Sequence, residues 1–358
     1  MKIVDVNPFF LPRIGGIELR MHDMARYMAK RGHDVTVLTG QLEGTPEEEM
    51  TPDGYRIVRL RSKFLNIYNP PHIKSYDILE TLKSLDADIV NYNYRWAPSW
   101  DKEVAKYDGK RIFTYHNMWG EGTGLVGMAS GINDSLYRKK LMSYDHIVCV
   151  SEFVRQDLIR RGIPADMTTT IPNGYECKPL VDVPEGDFIL SLGRLVKTKG
   201  LDYLMEAMKD VDCKLVMCGK GPEKDHLEKL IVRYGLQDKV TMKGFVSDEE
   251  KLQLMSTCKF FVIPSLFESF GIAALEQMAS GKPVVSTNVN GLPEVVGDGG
   301  IMVDPRDSKA LAEAMNRLLG DDALRHDLGV KARKQAETYE WSGIVDSWER
   351  FLEGQLEN

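Results

Sequence analysis

From one end to the other, the chain alternates short runs rich in β-branched residues with longer stretches of helical periodicity. The spacing predicts strands at Lys2–Val6, Asp34–Thr39, Tyr55–Arg61, Asp88–Tyr92, Arg111–Tyr115, Ile147–Val150 and Thr168–Ile171. Between them, Gly16–Arg31, Ile73–Leu85 and Glu152–Arg161 read as helices, with Gly32 and Gly162 where left-handed caps belong. This alternation is the mark of βαβ units, and so of a parallel sheet with helices on both faces.

Residues 172–187 break the pattern with three prolines and two glycines and no periodicity, as a linker would. The alternation then restarts, with strands expected at Phe188–Leu192, Lys214–Cys218, Val240–Met242, Phe260–Ile263, Val284–Ser286 and Ile301–Val303. Helices are expected at Leu201–Met208, Lys224–Tyr234, Asp248–Ser256, Ile272–Ala279, Ser308–Leu319 and Leu324–Glu337, and in a closing segment from Trp341. A length of 358 residues suits two domains. The expected fold class is α/β: two Rossmann-like, doubly wound parallel-sheet domains facing one another across a cleft. The expected bounds are 1–173 and 174–340, with a last helix at about 341–358 crossing back to the first domain. Open sheets of this kind bind ligands beyond the carboxyl ends of their strands, which sorts the motifs by position.

Composition excludes several classes. No apolar run approaches the roughly 20 residues of a membrane span, and Asp5 and Asn7 interrupt any signal-peptide core. Five cysteines without a Cys-x-x-Cys pair argue against a disulfide framework or a thiolate metal site, and suit the cytoplasm. A net charge of −7 argues against nucleic acid as the main partner. Residues 1–176 hold 23 basic and 23 acidic residues and the remainder 23 and 30, so the acidity belongs to the second half. The first half has basic runs at Arg56, Arg59, Arg61 and Lys63, and at Arg138, Lys139 and Lys140. These are either a solvated face or a surface for an anionic acceptor or the inner face of a membrane.

Two segments carry the chemistry. In Pro264–Glu276 a strand ends, a loop bears Glu268, and a helix begins near Gly271 with Glu276 about 7.5 Å along its axis. The bare amides of Phe270, Gly271 and Ile272 at that helix start suit an anion such as phosphate. Two carboxylates at two depths suit a ligand with hydroxyls on both sides of a phosphate, the shape of a nucleotide sugar. In Ser191–Gly200, Arg194 and Lys199 follow directly on a strand and offer a planar fork and a compact charge to a diphosphate. Lys197 reads as a solvated neighbour.

Glu-x₇-Glu with Phe-Gly inside it, preceded by Gly-Arg-x₄-Lys-Gly, resembles the retaining glycosyltransferases of family 4, which have the GT-B fold. Gly15-Gly16, Tyr115-His116-Asn117, Val150-Ser151, Pro172-Asn173-Gly174, Gly244-Phe245-Val246, Gly291–Glu294 and the closing Trp341 segment stand in that family's order. The resemblance implies that Glu276 binds the nucleotide ribose and that Glu268 lies at the donor sugar. It implies that Arg194 and Lys199 hold the diphosphate as leaving group, and that backbone near Phe245 and Val246 contacts the base. Gly15 and Gly16 would approach the donor phosphates, and His116 would sit near the donor sugar at the reacting centre. It implies a nucleoside-diphosphate sugar as substrate, a sugar, lipid or small-molecule acceptor bound by the N-terminal domain, retention at the anomeric carbon, and no cofactor or essential metal.

Other readings are weaker. A dinucleotide dehydrogenase needs Gly-x-Gly-x-x-Gly after the first strand and an acid after the second; here stand Asn7–Gly16 and Leu38-Thr39-Gly40. Asp86-Ala-Asp88 resembles the metal motif of another glycosyltransferase fold but precedes a strand, at the wrong edge. The histidines show no ligand spacing. A non-catalytic sugar-nucleotide binder of the same fold is the alternative to an enzyme. The acceptor is expected to be read by residues 40–75 and 117–137, where the glycine-rich stretch Trp119–Gly131 reads as a mobile loop.

Overall fold

The structure, a computed structural model, describes residues 1–65, 72–117, 125–180 and 183–357. It comprises two compact units. One is formed by Met1–Trp119, Ile132–Gly174 and Trp341–Asn358, and the other is built on Tyr175–Glu340.

The sheet of the first unit runs, in spatial order, Thr168–Thr170, His146–Cys149, Lys110–Tyr115, Ile89–Tyr92, Lys2–Val6, Asp34–Gly40, Arg56–Leu60 and Glu48–Met50. All pairings are parallel except that of Glu48–Met50. The β-branched runs exist because such a sheet is buried on both faces. Ile3, Val35, Ile57, Ile89 and Ile112 pack with Met21, Met24 and Met28 of the helix Gly16–Lys30. The same core takes Trp341, Ile344, Val345, Trp348 and Leu352 from the final helix, Trp341–Glu357. That helix is also held by charge: Arg31 bonds Asp346 and, at 2.6 Å, Glu349, and His33 meets Glu349 at 2.6 Å. Gly174 is required where the chain passes the indole, since a Cβ there would lie 2.4 Å from a Trp341 ring carbon.

The second sheet is wholly parallel, in the order Val240–Gly244, Lys214–Cys218, Phe188–Leu192, Phe261–Ile263, Val284–Thr287 and Gly300–Val303. Its helices cover one core that includes Leu204, Met208, Leu227, Val262 and Met315. In both sheets the first strand lies between its immediate successor, Asp34–Gly40 or Lys214–Cys218, and a later strand, Ile89–Tyr92 or Phe261–Ile263, so the connections run off in opposite directions. That reversal is the topological switch point at which open α/β sheets leave a crevice.

Several elements differ from the sequence reading. Ile73–Leu85 is not one helix: His72–Ser75 pairs antiparallel with Ser62–Leu65, and the helix Ile78–Leu85 begins only after Asp77 at φ +59°. The hairpin prevails because Ser62 and Ser75 bond at 2.6 Å and Ile73 is buried, which fixes Ile73 in extended chain. Within the stretch expected as a mobile loop, a helix Leu125–Leu141 begins, while residues 118–124 lie outside the described residues. The helix is anchored by a buried ion pair, Asp134 with Arg95 at 2.6 Å. The helix Pro98–Val104 and the acidic strand Glu48–Met50 carry no periodic signal and were not expected. Asp86 and Asp88 lie at the N-terminal edge of the sheet, where Asp88 accepts the Lys2 amide at 2.7 Å. No helix among the described residues is long and apolar enough to cross a membrane.

The final helix should be essential to the first unit. Trp348 is 1% exposed, and Trp348→Ala should cost about 3–5 kcal/mol through lost burial and the cavity left behind. Urea unfolding checks this; a loss under about 1 kcal/mol would show that the helix is not part of the cooperative core.

Candidate functional site

In the second unit the loops that leave the two switch-point strands are stitched to each other. Leu266 donates its amide to the Thr198 carbonyl at 2.7 Å. Gly200, at φ +63°, lies so close to the next loop that a Cβ would sit 2.1 Å from the Pro264 carbonyl oxygen. Gly219, at φ +147°, packs onto the Gly193 carbonyl, where a Cβ would come within 1.8 Å. These contacts fix the backbone from which Arg194 and Lys199 project. A pocket opens at these strand ends, lined among others by Gly193, Arg194, Lys199, Met217 and Pro264.

Lys199 and Glu268 form a short ion pair across the two loops. Arg194 is exposed, and among the described residues it makes no ion pair. Glu268 is held by its backbone: its amide donates to Asn290 Oδ1 at 3.2 Å, and its carbonyl accepts the Gly291 amide at 3.0 Å. Asn290 adopts φ +51°, a conformation asparagine tolerates, and so aims its side chain at the loop. The helix Ile272–Ala279 starts at Gly271, with φ +107° and no side-chain cap. Ala274 and Leu275 both donate to the Gly271 carbonyl, so the amides before them carry the positive end of the helix. Glu276, in the second turn, pairs with Lys251 of the helix Asp248–Thr257 at 2.7 Å.

The other residues singled out from the sequence take different postures. The Phe270 ring is buried edge-on against Tyr339, so its side chain is withdrawn from the surface. Phe245 is 75% exposed beneath the Lys220 ammonium, and Val246 is half-buried beside it. Asn290 and Lys251 escaped the sequence reading, since neither the partner of a turn asparagine nor that of a surface lysine is legible in one dimension.

In the first unit, Gly15 begins the helix Gly16–Lys30 in extended conformation without a side-chain cap. The Glu18 carboxylate folds back so far that a Cβ on Gly15 would meet Glu18 Oε2 at 2.4 Å. An acid three residues after the cap is half of a capping box, and this residue was overlooked in the sequence. His116, following the strand Lys110–Tyr115, is buried and bonds Asn93 at 2.9 Å. Burial, and after it the Arg20 charge, pushes the His116 imidazole well below its ordinary value, which keeps it neutral. Asp5 lies beneath, its carboxyl raised by burial against the pull of Asn91, Asn93 and Arg20. Arg20 itself is lowered to about 10 by burial, with Asp5 opposing the shift.

The cysteines offer no thiolate. Burial raises Cys149, Cys177 and Cys258 to about 12 and Cys218 to about 11, and raises Cys213 as well. Among the described residues, Asp202 of the helix Leu201–Ala207 meets Glu223 and His226, at the start of the helix Lys224–Arg233, in a group of metal-ligand type that only the fold brings together. None of the three belongs to the loops above.

Two family models match in succession, one described as Glycosyltransferase Family 4 over residues 14–178 and one as Glycosyl transferases group 1 over residues 179–335. An uncharacterized glycosyltransferase of Methanocaldococcus jannaschii is 28% identical over 96% of both chains. Mannosylfructose-phosphate synthase of Agrobacterium fabrum is 24% identical over 95% of this chain and 87% of its own length. Among solved structures, sucrose-phosphate synthase of Thermosynechococcus elongatus superposes with a TM-score of 0.84 at 23% identity, covering 99% of this chain and 98% of that one. HepE of Anabaena, in complex with UDP and glucose, gives 0.79 at 20% identity over 99% of this chain and all of the other. The chain is a glycosyltransferase with the GT-B fold and belongs to family 4.

Proposed function

We propose that this glycosyltransferase moves a sugar from a nucleoside diphosphate to an acceptor hydroxyl with retention of configuration and without an essential metal. The observation that carries the reading is the pairing of Lys199 with Glu268 beside the exposed Arg194, at the switch point of the second sheet. Breaking the bond between the anomeric carbon and the diphosphate oxygen puts charge on the leaving group. Arg194, Lys199 and the amides at the start of the helix Ile272–Ala279 are the groups that take it up.

In this reading Glu268 faces the donor sugar and Glu276 the ribose, and Phe245 and Val246 border the base. Phe270, Gly271 and Ile272 supply backbone amides, and Gly15 and Gly16 approach the phosphates once the Glu18 carboxylate turns aside. The acceptor oxygen bonds to the anomeric carbon on the face the diphosphate leaves, and its proton passes to a diphosphate oxygen. The unit built on Tyr175–Glu340 holds the donor, the first unit binds the acceptor, and His116 stands near the donor sugar at the reacting centre. The acceptor is a sugar, a lipid or a small molecule. Of the basic runs, Arg59 is buried against Glu49, while Arg61, Lys63, Arg138, Lys139 and Lys140 are exposed and would suit an acceptor with anionic character or a peripheral contact with a membrane. Because similar folds have been solved with UDP and with UDP and glucose, uridine diphosphate sugars are the first donors to test. A binder without catalysis is the other reading, and release of nucleoside diphosphate on turnover separates the two.

Preorganised electrostatic contacts are typically worth about 3–4 kcal/mol in the transition state, or roughly 10²–10³ in rate. Lys199→Ala and Arg194→Ala should each cut turnover by that much while melting as the parent does, and EDTA should leave activity intact. Near-normal turnover in both variants, or loss with EDTA that magnesium restores, would overturn the assignment. Anomeric coupling constants of the product, read by NMR, should match those of the donor; an inverted product removes the chain from this mechanism.

A further inference from the structure

Beneath His116 lies a buried polar network that the proposed chemistry has not yet used. Asp5, Asn91, Asn93 and Thr114 come from three adjacent strands of the first sheet and their ends, and none is more than 3% exposed. Their bonds have a definite direction. Thr114 Oγ1 donates to Asn91 Oδ1 at 2.7 Å, and Asn91 Nδ2 donates to Asp5 Oδ1 at 2.6 Å. Asn93 Nδ2 donates to the same Asp5 oxygen at 3.3 Å and to the Asn91 carbonyl at 3.2 Å. The Asn93 backbone is fixed too, its amide donating to the Val6 carbonyl at 2.9 Å.

These bonds decide which way the Asn93 amide faces. Its NH₂ group meets two oxygens, neither of which has a proton to offer in return, so a flipped amide would set oxygen against oxygen. Oδ1 therefore points the other way, to His116 Nε2 at 2.9 Å. An amide oxygen only accepts, so Nε2 must carry the proton, and in a neutral ring Nδ1 then keeps a lone pair.

We propose that Asn93, oriented by Asp5, is a positioning residue that locks His116 in the Nε2–H tautomer and thereby turns Nδ1 into a fixed acceptor for a sugar hydroxyl. The proposal rests on the reading of His116 as a residue of the reacting centre. Hydroxyls need directional partners, and a ring free to exchange tautomers would present a donor part of the time. The charged groups that face the ring are Arg20, from the helix Gly16–Lys30, and Asp5, from the central strand through Asn93. Arg20 opposes protonation, so the lock holds on the neutral ring across the neutral range.

Nitrogen-15 NMR of histidine-labelled protein reads the tautomer directly and needs no turnover. The wild-type chain should show His116 with Nε2 protonated and Nδ1 bare at neutral pH; the opposite tautomer, or an exchanging mixture, overturns the proposal. Asp5→Asn can present an N–H where Asp5 presents only oxygen, so its Asn93 amide can turn over and a mixture should appear. Asn93→Leu keeps the volume and removes the oxygen; it should also yield a mixture, with kcat down about tenfold, the rate equivalent of one lost hydrogen bond. Nucleotide affinity, measured by calorimetry, should not change in either variant. A folded Asn93→Leu protein that retains both the pure Nε2–H tautomer and full kcat would reduce Asn93 to packing. Absence of nucleotide binding in the wild-type chain would sink the donor-site reading instead, and would leave the tautomer measurement standing.

Discussion

Parallel strands cannot be joined by tight turns, and each crossover must return over one face of the sheet. Once the chain has filled one side of its first strand, it must start again on the other, and the two neighbouring loops then diverge. In the second unit those loops are Gly193–Gly200 and Pro264–Gly271, which supply Arg194, Lys199 and Glu268. In the first unit they follow Val6 and Tyr92, and Asn93 stands at the start of one of them. The positions of the site residues are thus a consequence of strand order. What the sequence adds is the means to hold neighbouring loops close together: glycine at 200 against the Pro264 carbonyl and glycine at 219 against the Gly193 carbonyl, where a Cβ would come within 2.1 and 1.8 Å. A side chain at either position would push the loops apart and take the cations with them.

The strands were legible because burial on both faces forces runs of β-branched residues, and the flanking glycines mark where those runs stop. Phe188–Leu192 and Lys214–Cys218 are found with the bounds read from sequence. What escaped has a common cause. Glu48–Met50 is a strand only because Arg56–Leu60 lies beside it, and the acidic run has no alternation of its own. His72–Ser75 is extended because Ser62–Leu65 pairs with it, against a spacing that also fits a helix. Pairing with a partner distant in sequence outweighs a local preference worth tenths of a kcal/mol per residue.

The same division runs through the site. Motif residues were legible singly: Arg194, Lys199, Glu268 and Glu276 each follow a strand or open a helix. Their partners were not. That Lys199 meets Glu268 and Lys251 meets Glu276 depends on loops and helices brought together by the sheet. Asn91 and Asn93 carry no signal in the sequence, and Asp5 stands there only as an interruption of an apolar run. Only the lateral order of the strands, with Lys2–Val6 between Asp34–Gly40 and Ile89–Tyr92, brings the three side chains into one buried network.

Under the proposed function the two halves of a nucleotide sugar make different demands, and the groups each unit offers differ in a matching way. A diphosphate is a diffuse anion that gains charge as it leaves; it is served by cations on exposed or half-buried loops and by a helix terminus. Exposure keeps those cations cheap to maintain, and the Lys199–Glu268 pair keeps one of them compensated before an anion arrives. Sugar and acceptor hydroxyls are neutral, and a full charge beside them does little to select one orientation. They are served by uncharged groups of fixed direction, which requires burial and a complete set of partners, because a half-satisfied network would reorient. The neutral His116, its Asn93 support and the Asp5 below it meet that requirement. Burial holds the imidazole neutral, and Asp5 accepts from both asparagine amides, so the ring is held by directional bonds rather than by its own charge.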